Sequence, residues 1–276
     1  MGAYLAIVQV WHFETSMIRK KNMEQKIGEI REKMQAASME DLPAFIKQYS
    51  EDGRAGVRAI VERAEKKLHD YEAELLRTEQ MKAYEYEYAS CGLICGIDEV
   101  GRGPLAGPVV AGAVILPKDC DILYLNDSKQ LTAKKREELY DIIMERAVSV
   151  GLGFVGPERI DEINILKATY EAMRQAIGKL SVKPDILLND AVTIPQVTIR
   201  QVPIIKGDAK SISIAAASIV AKVTRDRLME QYDQMLPGYG FASNKGYGSQ
   251  EHIEALERLG PSPIHRRSFI GRYVSV

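Results

Sequence analysis

Near residue 90 the hydrophobic repeat of this chain changes period, and that change limits what the chain can fold into. Upstream, apolar residues recur at helical spacing. Met23, Ile27, Ile30 and Met34 share one face, and Leu42, Phe45, Ile46 and Tyr49 share a second. A third stripe runs through Val57, Ile60, Val61, Ala64, Leu68, Tyr71 and Leu75, set off from the second by the turn-forming SEDGRAG. Downstream, short apolar runs of strand type alternate with helical stretches, the signature of an α/β sheet protein.

The spacing predicts strands at LICGID, GPVVAGAVIL, VGLGFVG, PDILLND and VTIRQVPII, the last two split by a turn around Pro195. Helices are expected over LTAKKREELYDIIMERAVS with Thr132 as cap, over PERIDEI, over NILKATYEAMRQAIGKL, and over QEHIEALERLG. A long helix through SISIAAASIVAKVTRDRLMEQYDQML is rich enough in alanine to pack closely. Residues 1–16 fit neither pattern and are expected to form a disordered extension, frayed or left by an upstream start. Residues 17–88 read as a helical N-terminal module, and residues 89–276 as the sheet domain.

The bulk numbers exclude several classes. A formal net charge of −1 over 276 residues rules out a grossly basic nucleic-acid binder, so any contact with phosphates must come from local placement of charge. Cys91, Cys95 and Cys120 are too few for a disulfide framework and read as reduced thiols of a cytoplasmic protein. No apolar run reaches the roughly 18–20 residues of a membrane span, and the opening MGAYLAIVQVW makes a poor signal peptide. The four histidines lack metalloprotease spacing, and neither a GxSxG elbow nor a P-loop is present.

What stands out instead is where acids fall. LICGID runs into Asp98 and Glu99, DILLND closes on Asp190, and VTIRQVPIIKGD closes on Asp208. Successive strand residues point to opposite faces, so Asp98 and Glu99 converge only if the strand ends at Asp98 and Glu99 enters the turn. Gly101 and Gly103 make such a turn accessible and expose backbone N–H groups. Ligands favour the carboxyl ends of sheet strands. Three strands closing on carboxylates suit hard cations, Mg²⁺ or Mn²⁺, that take oxygen ligands beside a phosphate. Two such ions about 3.5–4 Å apart activate a water and stabilise a leaving oxygen. Asp226, mid-helix between Arg225 and Arg227, is the rival for the fourth acid, with an exposed ion pair as its default reading.

Five blocks, GIDEVGRGPLAGPVVAGAVIL, LNDSKQLTAKKREELY, ILLNDAV, KGDAKSISIAAASIVAKVTRDRLM and PGYGFASNKGYG, fall in order across residues 93 to 250 and resemble bacterial ribonuclease HII. The helical module resembles the N-terminal extension of some members. The resemblance implies a ribonuclease H-like mixed sheet flanked by helices. It also implies a metal-dependent endoribonuclease that hydrolyses the RNA strand of RNA–DNA hybrids and cuts 5′ of single ribonucleotides in duplex DNA, leaving 5′-phosphate and 3′-hydroxyl ends. By motif position Asp98, Glu99, Asp190 and Asp208 are its catalytic and metal-binding acids, with two Mn²⁺ or Mg²⁺ ions in the active complex. Gly101, Arg102 and Gly103 carry over as contacts to the ribose 2′-hydroxyl, the group that distinguishes RNA from DNA. Tyr247 carries over as the ring that stacks on the sugar of the following nucleotide.

For phosphate contacts Lys222 is favoured on its alanine-rich helix, with Lys129, Lys206, Lys210 and Ser218 nearby in motif order. Ser211 and Ser213 are further phosphate candidates, Ser211 being equally a helix cap. Lys245 and the HRRSF tail are candidates for a second basic patch. The expected partners are RNA–DNA hybrid and ribonucleotide-containing duplex, for a monomer that serves replication and repair. The alternatives are a ribonuclease HIII-like enzyme, against which Arg102 argues, and a catalytically silent hybrid-binding module.

Overall fold

A computed structural model describes residues 25–274. The expectations for residues 1–16, Met17 and Met23 lie outside the described residues. The chain divides between Arg77 and Thr78 into two units.

The first unit carries helices α1 (Ile27–Ala36), α2 (Leu42–Tyr49) and α3 (Ala55–Met81) up to Arg77. Its core is Ile30, Leu42, Phe45, Tyr49, Val57, Ile60, Val61 and Ala64, the three stripes read from the sequence. The third stripe fades beyond Leu68, and Leu75 is exposed. Length explains the fading: α1 and α2 span about 15 and 12 Å, whereas α3 runs about 40 Å.

The second unit contains α4 (Ala83–Glu87), β1 (Ile94–Val100), β2 (Val109–Ile115), α5 (Ala133–Arg146) and β3 (Ser149–Val155). There follow α6 (Pro157–Ile163), α7 (Ile165–Gly178), β4 (Ile186–Asp190), β5 (Arg200–Ile204) and α8 (Ile212–Met235). The chain ends on α9 (Phe241–Asn244), α10 (Gln250–Leu259) and α11 (Arg267–Ile270). Thr132 caps α5, and Ser211 caps α8 by accepting from Ile214 N–H. The strands form one mixed sheet in the order β3-β2-β1-β4-β5. β2 runs antiparallel to both of its neighbours, β3 and β1, whereas β1, β4 and β5 run parallel, so the carboxyl ends of those three share one edge. Helices α5 and α8 cover one face, with Leu139, Ile143, Ile219 and Val220 packed around Val114. Helix α7 covers the other, with Ala172, Met173 and Ala176 against Ile97, Ala113 and Ile115. Among the described residues no helix is long and apolar enough to cross a membrane.

Two expectations about the acids need correction. β1 does not stop at Asp98: Asp98 pairs with Gly112, Glu99 with Ala111 and Val100 with Val110. The fully buried β2 offers partners along that whole length, so the ladder continues through both acids. Asp208 does not close a strand either. β5 ends at Ile204, Lys206 adopts φ +56°, and Asp208 sits in the 3-10 turn Gly207–Ala209. That left-handed residue turns the chain back over the sheet edge where Asp190 ends β4.

Helix α8 lies unusually close to the sheet because two strand positions lack a side chain. A Cβ on Gly96 would fall 2.0 Å from the carbonyl carbon of Ser213, and one on Gly112 would fall 2.5 Å from the oxygen of Ala217. Since Gly112 is the ladder partner of Asp98, this contact brings Ser218 over Asp98. Substituting Gly112 by Val should therefore lower stability by about 3 kcal/mol, read from the urea midpoint with an unchanged m-value.

Candidate active site

The register β1 to β4 pairs Ile97 with Asn189, so Asp98 and Asp190 are the next residues on adjacent parallel strands. Each carboxylate is held by a local amide. Glu99 N–H donates to Asp98 Oδ1 (2.7 Å), and Gly207 N–H donates to Asp190 Oδ1 (2.7 Å). The second bond ties the turn that bears Asp208 to the end of β4. Glu99 is half-buried, with Arg102 Nη1 3.4 Å from its Oε1.

These acids repel one another in a poorly hydrated place. Burial raises the Asp98 carboxyl well above its ordinary range. The Glu99 and Asp190 charges add to the rise, while a hydrogen bond with Ser218 opposes it. Ser218 Oγ is itself 3.0 Å from Ser128 Oγ. Burial also raises Glu99, which the Arg102 guanidinium counteracts and Asp190 reinforces. Burial raises Asp208 in turn, with Asp127 and Asp190 adding to the rise and Lys129 opposing it.

Lys129 is the cation placed among them. Desolvation disfavours its charge, yet Asp127, Asp98, Asp208 and Asp190 together hold its pKa above the ordinary value. Lys222 is placed differently. Its Nζ lies 2.8 Å from Asp226 Oδ1, and Asp226, Arg136 and Arg225 are the charges that act on it most. Asp226 is thus in an ion pair, half-buried rather than exposed. Lys245 pairs with Glu230, while Lys206 and Lys210 are exposed. Ser211 and Ser213 are buried beneath Glu85, whose Oε1 accepts from Ser211 Oγ (2.6 Å) and Ser213 N–H (3.0 Å).

Arg102 follows directly on this acid cluster, in the turn that leaves β1. Gly101 has φ +89°, and a Cβ there would meet Arg225 Nε at 2.3 Å, so the position accepts no side chain. A Cβ on Gly103 would come within 3.8 Å of the Tyr247 ring. Tyr247 is 43% exposed, so the turn and the ring offer one open surface beside the acids. Two histidines hold the backbone of the residue that carries that ring. His252 Nδ1 is 2.8 Å from Tyr247 O, and His252 Nε2 is 3.0 Å from His265 Nε2.

The HRRSF segment is not a surface patch throughout. His265 and Arg266 are fully buried, and Arg266 is spent on backbone carbonyls of residues 101–107. The sequence reading missed these two residues, together with Arg225, His252, Ser128 and Asp127. For Asp127 and Ser128 a signal existed: they adjoin Lys129 in the same NDSK motif. Among the described residues no three His, Cys, Asp or Glu side chains are already arranged to hold a metal ion. The chemistry of the donor set still fits a hard divalent cation. It offers only carboxylate oxygens, whose ionised form is penalised by burial and mutual repulsion that a bound dication would relieve.

Comparison with known proteins is consistent along the chain. A family model described as Ribonuclease HII matches residues 95–272, and one described as Ribonuclease HII N-terminal domain matches residues 26–89. A relative named Ribonuclease HII from Lachnoclostridium phytofermentans is 62% identical over 253 residues, covering 92% of this chain and all of its own. Among solved structures, the ribonuclease H2 from Pyrococcus horikoshii OT3 aligns with a TM-score of 0.53 at 31% identity, covering 64% of this chain and 93% of that one. The fold is also shared with Bst-RNase HIII, solved in complex with Mn²⁺, at a TM-score of 0.51 and 17% identity over 64% and 67% of the two chains.

Two outcomes follow from the charges. Because the folded pKa of Asp98 lies above the ordinary 3.8, its carboxylate costs stability as pH rises through that folded value. Asp98→Asn should therefore raise stability by on the order of 1 kcal/mol at pH 8, with the gain shrinking towards pH 4 in thermal melts. His265 has the opposite profile. Burial, then the His252 and Arg267 charges, push it down to about 4. The unfolded chain therefore binds the extra proton between about 6.5 and 4. Stability should be full above pH 6.5 and fall by on the order of 3 kcal/mol as pH drops to 4, a loss that His265→Gln should reduce.

Proposed function

Given that the chain belongs to the ribonuclease HII family, endonucleases that hydrolyse the RNA of RNA–DNA hybrids, we propose that it also incises duplex DNA on the 5′ side of a single embedded ribonucleotide. The products would carry 5′-phosphate and 3′-hydroxyl ends, as ribonucleotide removal during replication and repair requires. One observation carries this reading: the acids among the last residues of β1 and at the end of β4 lie next to a turn where a Cβ on Gly103 would come within 3.8 Å of the Tyr247 ring. A carboxylate cluster suited to phosphodiester hydrolysis therefore adjoins a surface suited to a sugar.

In this reading Asp98, Glu99, Asp190 and Asp208 would hold Mn²⁺ or Mg²⁺. Bound ions of this kind lower the pKa of a water and offset charge on the phosphate. The chain's own groups do the rest. Lys129 places a positive charge among the acids and limits their repulsion. Ser218 hydrogen-bonds Asp98 and so orients it. Arg102 shields Glu99. The amide N–H groups of the Gly101–Gly103 turn would donate to the oxygen of the ribose 2′-hydroxyl, and Tyr247 would stack on the next sugar, favouring an RNA-to-DNA junction. A solvated Lys206 and Lys210 flank Asp208 as phosphate contacts. Lys222 is less favoured in that role, being engaged with Asp226.

The decisive assay uses a duplex with one internal ribonucleotide and a uniform RNA–DNA hybrid, each titrated with Mg²⁺ and Mn²⁺. Cleavage should map to the phosphate 5′ of the ribonucleotide. Asp98→Asn combined with Asp190→Asn should reduce turnover by about a hundredfold or more, and EDTA should abolish it. Wild-type turnover by the double variant would sink the assignment of the acids. Binding of hybrid without turnover in any metal would favour a silent binding module.

A further inference from the structure

Two arginines of the second unit are wholly buried, and among the described residues neither is in an ion pair. A buried guanidinium is costly unless its donors are satisfied, and here the acceptors are main-chain carbonyls. Arg225 donates to the oxygens of Ala106, Pro108 and Lys245 at 2.8–3.1 Å. Arg266 donates from Nε and Nη2 to Gly107 O (2.9 and 2.8 Å), from Nη2 to Gly101 O (2.5 Å), and from Nη1 to Arg102 O (2.9 Å).

Those last two bonds fix more than carbonyls. All peptides here are trans, and in a trans peptide C=O and N–H point in opposite directions. Because the oxygens of Gly101 and Arg102 face Arg266, the N–H groups of Arg102 and Gly103 face away from it. Neither N–H has a protein acceptor among the described residues. Two successive amides are thus aimed outward by one guanidinium, beside the Tyr247 ring.

The preceding residue acts on the residue that carries that ring. Ser262 N–H donates to His265 Nδ1 (2.9 Å), so the His265 proton sits on Nε2. Nε2–H then donates to His252 Nε2 (3.0 Å), which leaves the His252 proton on Nδ1 to donate to Tyr247 O (2.8 Å). The same loop is tied to the turn's far side, where Leu105 N–H donates to Gly246 O (2.8 Å).

We propose that the buried dipeptide His265-Arg266 comprises positioning residues for ribonucleotide recognition: Arg266 aims the amides of Arg102 and Gly103, and His265, through His252, fixes Tyr247 beside them. The inference rests on the reading of that turn and ring as ribose contacts. It makes selectivity depend on a segment that touches no substrate.

The test compares binding to a duplex with one ribonucleotide and to the same duplex all-deoxy, without cleavage in EDTA, alongside kcat/KM. Arg266→Lys keeps the charge but cannot span three carbonyls with a planar fork. It should bind the all-deoxy duplex within about twofold of wild type, lose the ribonucleotide preference, and lower kcat/KM about a hundredfold. Should that variant fail to fold by circular dichroism, His252 carries the test. His252→Asn retains an N–H near Nδ1 and should keep the preference, whereas His252→Leu should lose it. Variants that retain wild-type preference, or an Asn variant as impaired as the Leu one, would overturn the inference. Affinity for both duplexes falling in parallel would also overturn it, as the mark of a purely structural role. Wild-type protein that does not distinguish the two duplexes would instead overturn the ribonucleotide reading on which it rests.

Discussion

Everything in the catalytic unit depends on main chain approaching main chain where α8 crosses β1 and β2. With Gly96 under Ser213 and Gly112 under Ala217, no side chain separates helix from sheet. Packing at that distance gains dispersion contacts and excludes water. It also sets one register. The helix can slide in neither direction without driving a side chain into a strand, so Ser218 stays over Asp98 and Arg225 stays under the Gly101 turn.

The unit then carries two buried electrostatic costs of opposite sign. At the strand ends, carboxylates are crowded and desolvated, with Lys129 and Arg102 as partial compensation. Behind the turn, Arg225 and Arg266 are desolvated and repel each other, enough that burial and Arg225 together push Arg266 down to about 9. Neither group neutralises the other, because the arginines are saturated by carbonyls. The negative site keeps its repulsion, offset only in part by Lys129 and Arg102. The positive one is converted into backbone geometry, its charge hydrogen-bonded to peptide oxygens.

Much of the architecture was legible in the chain itself. The change from helical to strand periodicity located the elements, and several helices carry a capping residue at their start, Thr132 at α5, Asn164 at α7, Ser211 at α8 and Ser249 at α10. Asp98 and Asp190 were legible because an apolar run that ends in an acid is unusual. Finer geometry was not. Glu99 remains in the ladder because β2 is long enough to pair with it, a fact about a partner strand rather than about DEVGRG. Asp208 moved off the strand because Lys206 takes a left-handed conformation that lysine does not advertise. Arg266 was misassigned to a surface patch for a deeper reason. Its acceptors are carbonyls more than 150 positions earlier, and a carbonyl belongs to every residue alike, so no side-chain pattern marks it. The histidine pair is hidden in the same way: His252 reads as one more member of a helix face.

Helix α8 has 24 residues and runs about 36 Å. Its capping serine follows the Asp208 turn, its middle overlies Asp98, and its later turns carry Arg225 towards the tyrosine loop. A single rigid rod thus connects the part that would break the phosphodiester bond with the part that would inspect the sugar. Displacing either end of that rod therefore acts on both regions through one continuous helix.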